Sequence, residues 1–136
     1  MLDLTRARTI GYNIPMNKLS DASFECSNKG FHMTFDNNWS ISVQIGAMNY
    51  CDNKGGLFEK YEDQAQYRPQ ECPNAEIAVF SPNGDYALPN DVEGYLKPEV
   101  VAAVIGFVAG LSATDCTKAV EDELHDIVVN HPFADS

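Results

Sequence analysis

The chain has 136 residues, 44% of them apolar, and its 20 acidic side chains outnumber the 9 basic ones to give a formal charge of −11. This length fits one domain, 1–136, whose core needs neither disulfides nor metals for stability. The acidic balance argues against direct nucleic-acid binding, which requires a basic surface. No apolar run reaches the roughly 20 residues of a membrane span, so we expect no membrane contact and no export signal.

Residues 1–23 show no clean helical or strand period, and Gly11 and Pro15 interrupt them. We expect an irregular arm or a weak strand. The next segment, 31–45, alternates large apolar with polar residues on both sides of Asp36-Asn37-Asn38. Period two around an Asx-rich turn predicts a β-hairpin. One face would carry the apolar residues, and the other would present polar side chains, including His32 and Gln44.

A second hairpin is predicted over 75–88, with 75–80 and 86–88 as its arms and Asn83-Gly84 in its turn. Asn-Gly is a strong hairpin signal because both residues accept positive φ. Residues 92–96 add one further short strand. We therefore expect an antiparallel sheet of about four to five strands.

The period changes to helical at Lys97, and a helical pair is predicted over 98–129. Pro98 suits a first helical turn, and Thr114 or Asp115 is the expected cap of the second helix. Strands followed by helices indicate an α+β fold, with the sheet covered by two C-terminal helices. Because the first helix is apolar on more than one side, we expect a homodimer through residues 98–111.

Cys26, Cys51, Cys72 and Cys116 lack C-x-x-C spacing, and the three histidines lack the spacing of metal ligands. We interpret the cysteines as reduced thiols in a cytosol; a disulfide would indicate an exported protein. No metal and no cofactor are expected.

The long loop 46–73 separates the hairpins, and loops of this length are often functional. It concentrates tyrosines and basic residues, which suit a pocket or an interface. The simpler interpretation is a loop that packs its own aromatics on the sheet. The functional one is a ligand or partner site formed with the polar face of the first hairpin. Its candidate residues are His32, Gln44, Asn49, Tyr50, Asp52, Asn53, Lys54, Tyr67 and Arg68.

Catalytic signatures are weak. The Walker pattern and G-x-S-x-G are absent. Cys51 with His32, or the abundant loop carboxylates, would be the only nucleophile or acid/base pairs. We predict no catalytic residue, and a protein that is more a binder than an enzyme.

The pattern Gly30-Phe31-His32-Met33-Thr34-Phe35, with Asn38-Trp39, Ser42-Val43-Gln44, Asn49-Tyr50-Cys51-Asp52-Asn53 and the later 75–80 strand, resembles a family of small uncharacterised bacteriophage proteins. The resemblance covers 30–86 and carries no catalytic residue with it. It implies a phage product that acts in the bacterial cytoplasm.

Three functions follow as alternatives. The first is a non-enzymatic binding protein acting on a host system, in anti-defence or host takeover, which captures a nucleotide-like small ligand or covers a host protein. The second is an acidic inhibitor or nucleic-acid mimic that binds a basic host protein. The third is a small enzyme using Cys51 or the loop carboxylates.

Overall fold

The computed structural model describes residues 22–55 and 71–134. Within these ranges, five strands precede two helices, as the sequence predicts for an α+β fold. The strands are β1 (Ser23–Ser27), β2 (Gly30–Thr34), β3 (Ser40–Gln44), β4 (Ala75–Phe80) and β5 (Glu93–Leu96), and the helices are α1 (Pro98–Ala109) and α2 (Thr117–Asn130). Of the predicted arm, residues 1–21 lie outside the described ranges.

The sheet has the order β1-β2-β3-β4-β5, and every neighbouring pair is antiparallel. The first predicted hairpin is confirmed as β2 and β3, with Phe31 opposite Val43. Asn38 in its turn has φ 70°, a left-handed conformation that Asn tolerates. The alternation of apolar residues therefore determines how β2 and β3 pair. Shifting one strand by one residue would turn all of its core-facing side chains toward solvent.

Strand β1 was not predicted from the sequence. All five of its residues are exposed, so burial imposes no pattern that a sequence could display. It pairs with β2 through the two-residue turn Asn28-Lys29, which places Ser27 opposite Gly30. It forms the edge of the sheet in the described part of the chain.

The second predicted hairpin has a shorter return arm than its pattern indicates. Only one bridge, between Phe80 and Tyr86, follows the Asn83-Gly84 turn, although Ala87 N also donates to Val79 O at 2.8 Å. Ala87 and Leu88 are buried in the core, which draws the chain out of the sheet. The strand predicted near 92–96 is confirmed as β5, and it pairs farther along the same edge of β4.

The core lies between one sheet face and the helices. Strand side chains such as Ile41 and Ile77 meet the buried stripe of α1, which consists of Val100, Val101, Val104 and Val108. The α1 residues that remain exposed include the small Ala102, Gly106 and Ala109. The homodimer through 98–111 stays a prediction.

The predicted cap of the second helix is wrong. Helix α2 begins at Thr117 after Cys116, which makes no side-chain cap hydrogen bond. The Asp115 carboxylate instead accepts from Ser112 N at 2.7 Å, so it stabilises the preceding turn. In the part of the chain that the structure describes, neither α1 nor α2 is long and apolar enough to span a bilayer.

Candidate functional site

The sheet face opposite the helices, here called the outer face, is built from three cross-strand rows. Because directly opposed residues share a face, the strand register defines these rows without ambiguity. They are Ser27-Gly30-Gln44-Glu76, Glu25-His32-Ser42-Ala78 and Ser23-Thr34-Ser40-Phe80. Small side chains occupy much of the middle of the face, with larger ones around them.

Three rings form an aromatic strip (His32, Phe80 and Tyr86) on the outer face. The His32 and Phe80 rings are stacked, with centroids 6.0 Å apart and an interplanar angle of 21°. Tyr86 tilts against Phe80 at 4.9 Å because the bridge after the turn brings these two residues together. Tyr86 is 49% exposed, so the strip offers aromatic surface to solvent.

A depression of about 590 Å³ lies beside the strip, at the β1–β2 end of the sheet. It is lined by Glu25, Cys26, Ser27, Gly30, Phe31, His32 and Gln44. His32 and Gln44 were both predicted as site residues, and the structure places them together here. The Gln44 amide donates to Ser42 Oγ at 3.1 Å, which orients it across the face.

Two predicted loop residues hold the loop itself. Asn49 accepts from Gly46 N and donates to Glu76 Oε1, both at 2.9 Å. Asn53 donates to Ile45 O at 2.8 Å and to Glu71 O at 3.0 Å. Both amides therefore fix the loop onto the ends of β3 and β4. The sequence analysis had predicted these two residues as ligand contacts.

Tyr50 and Lys54 form an exposed pair beyond Glu76. The Lys54 ammonium lies 4.6 Å from the centre of the Tyr50 ring, a cation–π geometry. Tyr50 is anchored through its backbone, since its N–H donates to Glu76 Oε2 at 3.3 Å and its carbonyl accepts from Tyr95 N at 2.9 Å. The pair therefore sits at the β4–β5 side of the outer face, across the sheet from the depression.

Asp52 is exposed, and its backbone N–H donates to Asn74 Oδ1 at 2.8 Å. Tyr67 and Arg68, the remaining two predicted site residues, lie outside the described ranges. The predicted site residues are therefore not all in one place. His32 and Gln44 line the depression, whereas Asn49 and Asn53 fix the loop and Tyr50 and Lys54 form a separate exposed pair.

Sequence reasoning missed Glu25, Glu76, Phe80 and Tyr86. The pairing of Phe80 with Tyr86 could have been found, because these residues flank the predicted turn directly. Glu25 belongs to the strand that had no pattern. Glu76 could not be placed beside Gln44 because a long connection separates β3 from β4.

The Cys51 thiol does not have the environment of a catalytic nucleophile. It is 1% exposed and donates to Gly46 O at 3.5 Å. Burial raises the pKa of the Cys51 thiol, whereas a cysteine that attacks an external substrate needs exposure and a lowered pKa. His32, its proposed base, stacks on Phe80. Over the described ranges, no group of three or more His, Cys, Asp or Glu side chains could hold a metal ion.

Comparison with known proteins finds no relative, since no protein-family model, no curated protein and no solved structure matches the chain.

Proposed function

We propose that this is a non-enzymatic binding protein whose outer face captures a small ligand with a planar, hydrogen-bonding ring, such as the base of a nucleoside or mononucleotide. The observation that carries the proposal is the stacked His32–Phe80 pair, extended by Tyr86, beside a polar depression. Aromatic side chains provide stacking surface for nucleobases, each stack being worth about 1–3 kcal/mol.

Polar groups near the strip suit the edges of such a ring. The Gln44 amide supplies both a donor and an acceptor, and the Glu25 carboxylate accepts from an exocyclic amine. Both residues line the depression together with His32. In the middle row, Ser42 beside His32 is half-buried and small, which leaves room for a flat ring next to the His32 side chain.

Charge favours recognition through the ring over recognition through phosphate. The chain carries a formal charge of −11, and Glu25 and Glu76 belong to the outer face. A polyphosphate or a nucleic-acid backbone would be repelled, whereas one ring with few charges would not. The ligand class is therefore a nucleoside or a mononucleotide.

The test measures binding of adenosine, guanosine, cytidine, uridine and their 5′-monophosphates by titration calorimetry. For whichever compound binds, Phe80→Ala should weaken binding about 5- to 150-fold, the equivalent of one lost stack. The matched control is Phe133→Ala, because Phe133 forms another His-Phe pair with His131, at 5.8 Å, near the end of α2. Binding of none of these compounds, or equal losses in both variants, would overturn the proposal.

The expected setting is the bacterial cytoplasm, where capture of the ligand would act on a host system. Its support is the resemblance of 30–86 to phage proteins, which is independent of the outer-face geometry. Native mass spectrometry of the protein purified from bacteria, before and after denaturation, tests this setting. A released nucleoside-like compound is the expected result, and an empty protein that binds no compound from a bacterial extract would contradict it.

A second candidate is the acidic inhibitor of a basic host protein. Its support is the exposed side of α2, where Asp122, Glu123 and Asp126 are exposed and Lys118 pairs with Asp122 at 3.2 Å. Such a complex would dissociate as salt rises. Asp126→Lys with Glu123→Lys should then abolish capture of the basic protein, while Phe80→Ala should leave it intact.

A further inference from the structure

The two ends of the loop between β3 and β4 are joined by side-chain hydrogen bonds. Asn53 Nδ2 donates to Glu71 O at 3.0 Å, and Asp52 N donates to Asn74 Oδ1 at 2.8 Å. These bonds bring the backbone after Cys51 against the backbone around Cys72. Two cysteines that are far apart in sequence therefore become neighbours.

The Cys72 thiol lies close to the backbone that follows Cys51. Cys72 Sγ is 3.7 Å from the same Asn74 Oδ1 that accepts from Asp52 N, so one acceptor atom joins the two segments. Cys72 is also one of the neighbours that raise the pKa of the Cys51 thiol. Both are free thiols in this structure. Two cysteines whose segments are joined at one acceptor atom need only a small backbone movement to reach the geometry of a disulfide.

The two thiols differ in access. Cys51 is 1% exposed, and burial raises its pKa. Cys72 is only half-buried, so a small reagent reaches it first. This difference in access determines the order of reaction. Cys72 reacts with the reagent first, and Cys51 then reacts with the modified Cys72.

We propose that Cys51 and Cys72 are a thiol pair that closes reversibly into a disulfide by exchange with a small-molecule disulfide. The Cys72 thiolate attacks one sulfur of the reagent, forms a mixed disulfide and releases one small thiol. Cys51 then loses its proton, attacks the Cys72 sulfur and releases the second small thiol. The two protein thiols lose two electrons, the reagent gains them, and the two protons pass to the released thiols.

The bond would lock the ends of the loop that fixes Tyr50 beside the outer face. Cross-linking residues 51 and 72 also reduces the conformational freedom of the unfolded chain. The oxidised protein should therefore melt about 5 °C or more above the reduced one. Reversible, sensing disulfides are the kind that occur in reducing compartments, so the proposal does not require export. It is also independent of any ligand on the outer face.

The test uses the full chain with Cys26→Ser and Cys116→Ser, because both of those cysteines are exposed and would react on their own. This protein is reduced, incubated with oxidised glutathione, alkylated and digested with trypsin, which cleaves after Lys54 and Lys60 between the two cysteines. We expect a linked peptide pair, loss of two hydrogens from the intact mass, a higher melting temperature and full reversal by dithiothreitol.

Two single variants separate the roles. In the same background, Cys51→Ala should stop at the Cys72–glutathione mixed disulfide, while in Cys72→Ala the buried Cys51 should remain unmodified. Circular dichroism checks that each variant is folded, and Cys72→Ala, at a half-buried position, is the safer of the two. Glutathione retained on Cys72 with Cys51 still alkylatable in the parent protein would overturn the proposal, as would two unreacted thiols.

Discussion

The Asn37 side chain in the β2–β3 turn holds the end of α1, since its Nδ2 lies 2.9 Å from the carbonyl oxygen of Val108. The same amide nitrogen lies 2.7 Å from Leu111 O. The last carbonyls of a helix have no partner within it, and Gly110, the C-cap residue, has a φ of −91°, outside the left-handed conformation of common C-terminal caps. One residue of the β2–β3 turn thus supplies the hydrogen bonds that the end of α1 lacks.

Replacing this residue should destabilise the fold. We expect Asn37→Ala to lower the free energy of unfolding by about 1–3 kcal/mol, because part-buried carbonyls lose their donor. Asn37→Asp should cost at least as much, since a carboxylate opposes the negative end of the helix. Urea unfolding followed by circular dichroism measures both. The exposed Asn90 is the control, and Asn90→Ala as damaging as Asn37→Ala would contradict the assignment.

Two glycine substitutions should change stability in opposite directions. A Cβ at Gly94 would lie 2.4 Å from Tyr50 Cβ and 2.7 Å from Tyr50 O, so Gly94→Ala should push the loop off β5 and cost about 1–3 kcal/mol. A Cβ at Gly106 would meet nothing within 4 Å, and Gly106→Ala within α1 should stabilise by about 1 kcal/mol. Thermal and urea unfolding of the two variants, side by side, checks both signs. Equal effects would mean that Tyr50 does not pack on β5 in solution.

The buried Cys51 thiol should make the reduced protein less stable in alkali. Its folded pKa is raised above the ordinary value of 9.0 by burial, so its stabilising effect is complete below that value and is lost as pH rises through the folded pKa. As pH rises past the ordinary thiol pKa of 9.0, the free energy of unfolding should fall more steeply in the parent protein than in Cys51→Ala. Urea unfolding under reducing conditions measures the two slopes, and Cys116→Ala, at an exposed position, should keep the parent slope.

The homodimer through 98–111 is tested by light scattering coupled to size exclusion. We expect a mass of about twice the 15.0 kDa of one chain, and a monomer for Ala102→Glu, which places a charge on the exposed side of α1. Ala119→Glu, on the exposed side of α2, is the matched control and should remain dimeric. A parent protein that is monomeric at high micromolar concentration would contradict the prediction.

Parts of the site could be predicted from the sequence, and others could not. Strand alternation alone places His32 and Gln44 on the same polar face. The stack of His32 on Phe80 required the pairing of β3 with β4, which a long intervening connection hides from any local pattern. Asn49 and Asn53 have the residue type of ligand contacts, but only their bonds to Glu76 and to the Ile45 and Glu71 carbonyls show that they fix the loop.

The elements that bury one side could be predicted from the amino-acid sequence. Apolar residues recur at a regular spacing in the β2–β3 hairpin, in the strand 75–80 and in both helices, because each of these elements buries one side in the core. Their existence can therefore be predicted from the spacing of apolar residues along the chain. Three other features have no such pattern. Strand β1 follows a local turn, but it is fully exposed, and exposed residues leave no apolar period. The pairing of β5 with β4 and the approach of Cys72 to the segment after Cys51 depend on which distant segments meet, and no local periodicity records that.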